Sequence, residues 1–423
     1  MARRLTLFIL IGLVLGLVVG WVMHSAIAAA DPTTAATLKT AASAFPIVTT
    51  LFLRLIKMII APLVFSTLVI GIAHMGGGSA LGRIGLRALL WFVCASLLSL
   101  SLGLLLVHLL QPGVGLGLPL PPVSEASGLD KSAFNIKDFV THIVPASIIE
   151  AMASNEIIQI VVFSVFAGVA ITSVGERAAP LVAGLEALAA VMLKITNYVM
   201  GFAPIAVFAA VANSLVERGP EVIGKLGYFI LSFYLALGLL WALLVLIGLV
   251  FLGPRVAELV RAIRDPLILA FSTASSEAAY PRTLEALERF GVPPRIAAFM
   301  LPLGYSFNLD GSMMYMTFAS LFIAQAYGIA LPLGAQITML LVLMVTSKGI
   351  AGVPRASLVV VAATLPLFDI PEAGLLLILA VDHFLDMGRS ATNVVGNAVA
   401  TAVIARFEAS RADDPVDPAA LEA

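Results

Sequence analysis

From Leu375 to Ile404 the chain is apolar enough to cross a bilayer, yet Asp382, Asp386, Arg389, Asn393 and Asn397 recur through it in steps of four, three, four and four. At about 100° per residue these polar groups share a stripe roughly 80° wide on one helix. An acid or an arginine at membrane depth costs roughly 2.5–3.5 kcal/mol on insertion scales, so the stripe must face a partner, a cavity or a solute path rather than lipid. That requirement restricts the chain to a polytopic helical membrane fold with a polar interior, suited to a charged small molecule.

Composition agrees. Of 423 residues, 61% are hydrophobic and 12% charged, more apolar than any soluble core requires. The formal net charge of −1 gives no field that would attract nucleic acid. A single cysteine, Cys94, excludes a disulfide framework and a cysteine-based metal site. Met1-Ala2-Arg3-Arg4 has the charge of a signal peptide, but the apolar run Leu5 to Met23 is too long for one and reads as a retained first span.

Apolar segments long enough to span cover 5–24, 44–74, 86–110, 139–174, 181–215 and 222–252. Pro145 and Gly168 predict breaks in the fourth, and the stretches Asp31 to Lys39 and Gly113 to Lys137 read as loops. Basic residues at 3–4, 83–87, 255–264 and 406–411 fall on one side if the segments alternate, which makes that side, with both termini, cytoplasmic. Arg54 and Lys57 read as snorkelling residues near an interface.

The C-terminal part behaves differently. Pro266 to Phe290 and Leu331 to Phe368 are apolar arms interrupted by polar tips, Ser272-Thr273-Ala274-Ser275-Ser276-Glu277 and Ser347-Lys348-Gly349-Ile350-Ala351-Gly352-Val353-Pro354-Arg355. Arms of roughly 10–16 residues are about 15–24 Å as helix, too short to cross alone. Two re-entrant hairpins account for them, since irregular backbone at depth survives only where it lines a cavity. Each is followed by a spanning segment, Ala297 to Tyr327 and Pro371 to Phe407, an inverted hairpin–helix repeat of the kind that binds solute where the repeats meet.

Three constellations carry chemistry. Gly304 and Gly311 permit unwinding around Asn308-Leu309-Asp310-Gly311-Ser312, giving an oxygen-rich set suited to a hard monovalent cation or a proton. The two tips offer hydroxyls and free backbone groups, with the flexibility of a lid. On the stripe, Arg389 suits a carboxylate, Asp386 an ammonium group and Asn393 a second carboxylate, the three groups of an acidic amino acid. The alternative is an internal Asp386–Arg389 ion pair that only holds helices together. His383 reads as a packing residue. No HExxH, GxSxG or Walker-type motif is present, and neither hairpin holds a histidine that could serve a tip serine as base, which disfavours an enzyme. Charges confined to two hairpin–helix units favour a carrier over an anion channel.

The ordered set Ser272 to Glu277 with Pro281, Asn308-Leu309-Asp310-Gly311, Gly352-Val353-Pro354, and Asp386-Met387-Gly388-Arg389 with Asn393 resembles the dicarboxylate/amino acid:cation symporter family, which includes the bacterial glutamate/aspartate transporters and the excitatory amino acid transporters. The resemblance implies an all-α membrane protein of eight transmembrane helices and two re-entrant hairpins, a homotrimer of the cell inner membrane. It implies scaffold spans over 1–74 and 139–215, a mobile transport unit over 85–111 and 222–408 moving as an elevator, and a cytoplasmic tail over 409–423. It implies substrate contacts at Ser275, Ser276, Ser312, Val353, Asp386, Arg389, Ser390 and Asn393. Arg389 would take the side-chain carboxylate and Asp386 the amino group. Cation contacts would fall at Ser96, Gly304, Asn308, Asp310, Ser347, Ile350, Asn393 and Asn397. Gly352 and Pro354 would form the gate. No cofactor is implied beyond the coupling sodium ion or proton.

Asp386 favours glutamate or aspartate, since members specialised for C4-dicarboxylates generally lack an acid there; dicarboxylate transport is the alternative. The departures concern the ion. Asn397 stands where sodium-coupled members commonly have aspartate, and Phe92 and Ala95 replace cation ligands in the third span, leaving Ser96. Sodium and proton coupling both remain open. Ala274 replaces an arginine found at the first tip in some members, and Arg355 at the second tip offers a comparable charge.

Overall fold

The computed structural model describes residues 2–73, 78–115, 120, 141, 143–347, 356–379 and 381–412, and within these the chain is helical with no strand. Among the described residues, five helical segments are long and apolar enough to cross a bilayer: Leu7–Ala29, Pro32–Phe52, Gly82–Leu110, Ile157–Met200 and Gly227–Ala262. Large apolar side chains such as Leu109, Phe166 and Val250 lie exposed on them. That is the surface of an integral membrane protein, apolar outside and polar within.

One group of helices is built around α3. Helices α1 (Ala2–Ala29), α2 (Pro32–Ala42), α3 (Ala44–Ala73) and α4 (Gly78–Leu110) are followed by α5 (Ile148–Ser154), α6 (Ile157–Val174), α7 (Ala179–Met200) and α8 (Ala203–Lys225). α3 packs on α6, α7 and α8, while α1 lies along α8. The α1–α8 contact is a glycine seam. A Cβ on Gly16 would lie 2.7 Å from the Phe208 carbonyl oxygen, and one on Gly20 the same distance from that of Ala212. Gly12 meets the Pro204 carbonyl in the same way. Glycines four apart thus let two backbones touch where side chains would hold them apart.

Three expectations are corrected here. The segment 139–174 breaks at Asn155–Glu156, with Asn155 left-handed at φ 55°, ψ 39°. Pro145 lies, as expected, in the non-helical stretch 143–147 ahead of the Ser147 cap of α5, but the segment does not break at Gly168. Gly168 is helical, and its missing Cβ admits Ile72 of α3, whose own Cβ would be 2.7 Å away. The stretch 181–215 is not one segment but parts of α7 and α8, separated at Gly201 and Phe202. The stretch Asp31 to Lys39 is helix rather than loop: Asp31 caps α2, accepting the Thr33 and Thr34 amides at 3.1 Å each, and Pro32 fills the first helical position, which needs no amide donor.

The remaining helices are α9 (Gly227–Leu252), α10 (Val256–Ala262), α11 (Arg264–Thr273), α12 (Ser276–Phe290), α13 (Pro294–Phe307), α14 (Asp310–Ala326), α15 (Leu333–Thr346), α16 (Ala356–Thr364), α17 (Leu375–Leu379) and α18 (Asp382–Ala412). α18 is their axis, with α9, α11, α13 and α14 packed around it and α4 packed against both α14 and α18. α11 and α12 pack together as a helical hairpin closed by Ala274, left-handed at φ 48°, and Ser275. α15 and α16 also pack on each other. Their connecting tip, with Ile350, Gly352, Val353, Pro354 and Arg355, lies outside the described residues. Of 10, 15, 14 and 9 residues, these four arms are each shorter than a bilayer core of ~30 Å requires.

Candidate solute and cation site

α18 begins at Asp382, and all five polar residues of the stripe lie on it. Asp382, Arg389, Asn393 and Asn397 are buried, and Asp386 is partly so. They face the break between α13 and α14. α13 ends at Phe307, Asn308 and Leu309 leave helical geometry, and α14 restarts at Asp310. The break turns the amides of the first turn of α14 toward α18, where Asn393 receives them. Its Oδ1 accepts from the amides of Gly311 at 2.9 Å and Ser312 at 3.4 Å, and its Nδ2 donates to Ser312 Oγ at 3.3 Å. Gly311 is required for this approach, because a Cβ would run into the Arg389 carbonyl oxygen and reach 2.9 Å from Thr392 Cβ.

The acid and the arginine pair. Asp386 Oδ1 accepts from Arg389 Nη2 at 2.8 Å, Arg389 Nε at 3.0 Å and Ser390 Oγ at 3.0 Å. Among the described residues Oδ2 receives no hydrogen bond, and the Asp386 side chain keeps 21% of its surface exposed. Arg389 Nη1 is buried without a partner. The guanidinium lies 4.6 Å over the Tyr315 ring, and the Tyr315 hydroxyl donates to Asp382 Oδ1 at 2.7 Å. The ion pair read as an alternative from sequence is therefore present, yet it leaves one acceptor and one donor unused.

A second cluster lies at the break itself. Asn308 Nδ2 donates to Asp310 Oδ2 and to Asn397 Oδ1, both at 3.2 Å, while its own Oδ1 is buried without a partner. Ser99 Oγ of α4 donates to Asp310 Oδ1 at 3.1 Å. Two glycines admit the cluster: a Cβ on Gly304 would collide with Asn397 Oδ1, and one on Gly396 with Asp310 Oδ2. Carboxylate, hydroxyl and amide oxygens gathered in this way suit a hard monovalent cation.

Several other residues read as site residues from sequence are buried or hydrogen-bonded within their own helices. Ser275 Oγ is the N-cap of α12, accepting the Ala278 amide at 3.2 Å, while Ser276 beside it is buried at the helix start. Ser347 Oγ donates back to the Met344 carbonyl at 2.8 Å, and the Gly304 carbonyl accepts the Asn308 amide at 2.7 Å. Ser96 is buried one turn from Ser99. The sequence reading missed Ser99, Tyr315, Gly396 and the Trp241–Thr392 hydrogen bond of 2.7 Å. Ser99 was legible as the i+3 partner of Ser96 in an apolar helix. Tyr315 and Gly396 carry no signal until the helices are packed.

A helical membrane protein that buries an acid–arginine–amide stripe against a broken helix, with an oxygen-rich cluster beside it, has the makings of a membrane transporter. A model of the sodium:dicarboxylate symporter family matches residues 5–407, and the chain belongs to that family. It is similar to the proton/sodium-glutamate symport protein of Bacillus caldotenax, 38% identical over 95% of this chain and 93% of that one. It is similar also to the proton/glutamate-aspartate symporter of Escherichia coli (strain K12), 42% identical over 85% of this chain and 84% of the other. A C4-dicarboxylate transport protein of Xanthomonas campestris pv. campestris (strain B100) is 40% identical over 84% of this chain and 81% of its own.

Proposed function

We propose that this protein is a secondary active symporter importing L-glutamate or L-aspartate with sodium ions, protons or both. The observation that carries the reading is the state of the Asp386–Arg389 pair, with one open acceptor and one open donor. Arg389 Nη1 would take the substrate's side-chain carboxylate, Asp386 Oδ2 its ammonium group, and Asn393 with Ser312 the α-carboxylate. Ser276, Ser390 and the Val353 tip would complete the pocket. The relatives named glutamate and glutamate-aspartate symporters support the substrate class.

The coupling ion would lie at Asp310, Asn308 and Asn397, with Ser96, Gly304, Ser347 and Ile350 contributing nearby. A substrate of net charge −1 entering against −100 mV costs about 2.3 kcal/mol before any gradient; one positive charge entering with it would cancel that cost, and two or more would let the potential drive uptake. Architecturally, 1–74 and 139–215 would form a scaffold and 85–111 and 222–408 a mobile elevator unit, with 409–423 a cytoplasmic tail. Eight spans, two re-entrant hairpins, a homotrimer and the inner membrane with both termini cytoplasmic belong to the same proposal. Support comes from the two packing centres, α3 for one group and α18 for the other. Gly352 and Pro354 would gate the pocket, with Arg355 supplying the tip charge.

The test is uptake of radiolabelled L-aspartate and L-glutamate into proteoliposomes under an imposed sodium or proton gradient, beside Arg389→Ala. Uptake driven by a gradient and lost in the variant is expected. A second reading, C4-dicarboxylate:cation symport, is favoured by the name of the Xanthomonas relative. Uptake of succinate but of neither amino acid would establish it and remove the ammonium role of Asp386.

A further inference from the structure

The face of α18 turned away from the substrate stripe is held by α9. On a helix advancing about 100° per residue, Phe384, Gly388 and Thr392 lie within roughly 80° of one another and are centred about 135° from the mean direction of Asp386, Arg389 and Asn393. α9 meets that back face with three side chains spaced i, i+3 and i+7. Tyr234 donates its hydroxyl to the Phe384 carbonyl oxygen at 2.6 Å. Trp241 Nε1 donates to Thr392 Oγ1 at 2.7 Å, and Thr392 Oγ1 donates in turn to the Gly388 carbonyl at 2.8 Å. Between them Leu237 fills the notch left by Gly388, where a Cβ would lie 2.7 Å from Leu237 Cδ1 and 3.0 Å from Tyr234 Cε1.

We infer that Tyr234 and Trp241 are positioning residues for the substrate, holding the rotation of α18 about its own axis so that Asp386, Arg389 and Asn393 converge on one solute. This rests on the acidic-solute reading above.

The two bonds bracket the ion pair. Phe384 is two residues before Asp386, and Thr392 three after Arg389. Tyr234 holds a backbone carbonyl of the helix that carries the site directly, and Trp241 reaches the Gly388 carbonyl through the Thr392 hydroxyl, so each contact is tied to a backbone rung. Gly388 brings α9 close to α18, so on this face Leu237 and these two contacts set the angle. The lever is short. A 10° rotation of a helix about 10–12 Å across moves side-chain tips by about 1 Å. Displacements of that size commonly cost about 100-fold where several groups must meet one ligand. Because Asp386 and Arg389 sit on either side of the stripe's midline, rotation would favour one over the other. The ratio between amino acid and dicarboxylate uptake would then change along with affinity.

The experiment compares Tyr234→Phe and Trp241→Phe with the parent in proteoliposomes, measuring KM and Vmax for L-aspartate, L-glutamate and succinate, and thermal unfolding of the purified protein. Tyr228→Phe is the matched control. Its hydroxyl lies on the same helix and donates to the Leu110 carbonyl at the same kind of distance, 2.7 Å, but on α4, away from the substrate stripe. The expected result is KM raised about 5- to 20-fold in Tyr234→Phe and Trp241→Phe, with Vmax and unfolding temperature close to the parent and Tyr228→Phe unchanged. KM within twofold of the parent in both variants, or the same KM change in the Tyr228→Phe control, overturns the inference while leaving the transport reading intact. A parent protein that takes up none of the three solutes overturns both.

Discussion

Ser99 Oγ of α4 donates to Asp310 Oδ1 at 3.1 Å, and both residues are buried. The contact ties the third apolar segment of the sequence to the break between α13 and α14. It supplies a hydroxyl where Phe92 and Ala95 supply none.

Ser99→Ala removes that hydroxyl from a buried carboxylate, a loss of about 1–3 kcal/mol. About 10-fold weaker dependence of uptake on the driving cation is expected, read as the cation concentration giving half-maximal rate. Ser101→Ala, on an exposed position of the same helix, should leave it unchanged.

Asp386→Asn tests the ammonium role. The variant keeps a hydrogen-bond acceptor near Arg389 but loses the charge that an amino group needs. Uptake of L-aspartate should fall at least 10-fold, while succinate uptake persists or rises. Equal loss of both solutes would mean that Asp386 serves only to hold Arg389, whose removal from its partner costs roughly 3–5 kcal/mol in a buried pair.

Gly16→Val addresses the α1–α8 seam. The new side chain meets the Phe208 carbonyl, and overpacking of this kind costs about 1–3 kcal/mol. A lower unfolding temperature in detergent is expected. Gly184→Ala, with nothing within 4 Å of the added Cβ, should be neutral or slightly stabilising.

Glu408→Gln cuts two ion pairs at once, to Arg83 at 2.7 Å and Arg87 at 2.6 Å, joining the start of α4 to the end of α18. The arginines are 36% and 27% exposed, so the expected loss is small, about 1 kcal/mol. Thermal unfolding at low and high salt checks it, and the difference from the parent should shrink as salt rises.

What the sequence determined by itself follows from the bilayer. Charges and amides on a helical stride within an apolar segment cannot face lipid. From that alone the polar interior, the interrupted helix at Asn308–Leu309 and the pairing of Asp386 with Arg389 or with a solute could be read. Hydropathy marked the apolar segments of α1, α4 and α9 and also Ala297 to Tyr327 and Leu375 to Ile404, but not how the helices that carry the site are broken or which way their polar faces turn. Break points were legible only in part. Gly168 and Gly311 are identical residues to a sequence reading, yet one lies inside α6 against Ile72 and the other in the first turn of α14 against the Arg389 carbonyl. Tertiary structure alone decided that Ser99 reaches Asp310, that Tyr315 lies beneath Arg389 and that Gly396 makes room for a carboxylate. Each of these depends on which helix lies opposite and at what rotation, and burial of packed surface sets that rather than local periodicity.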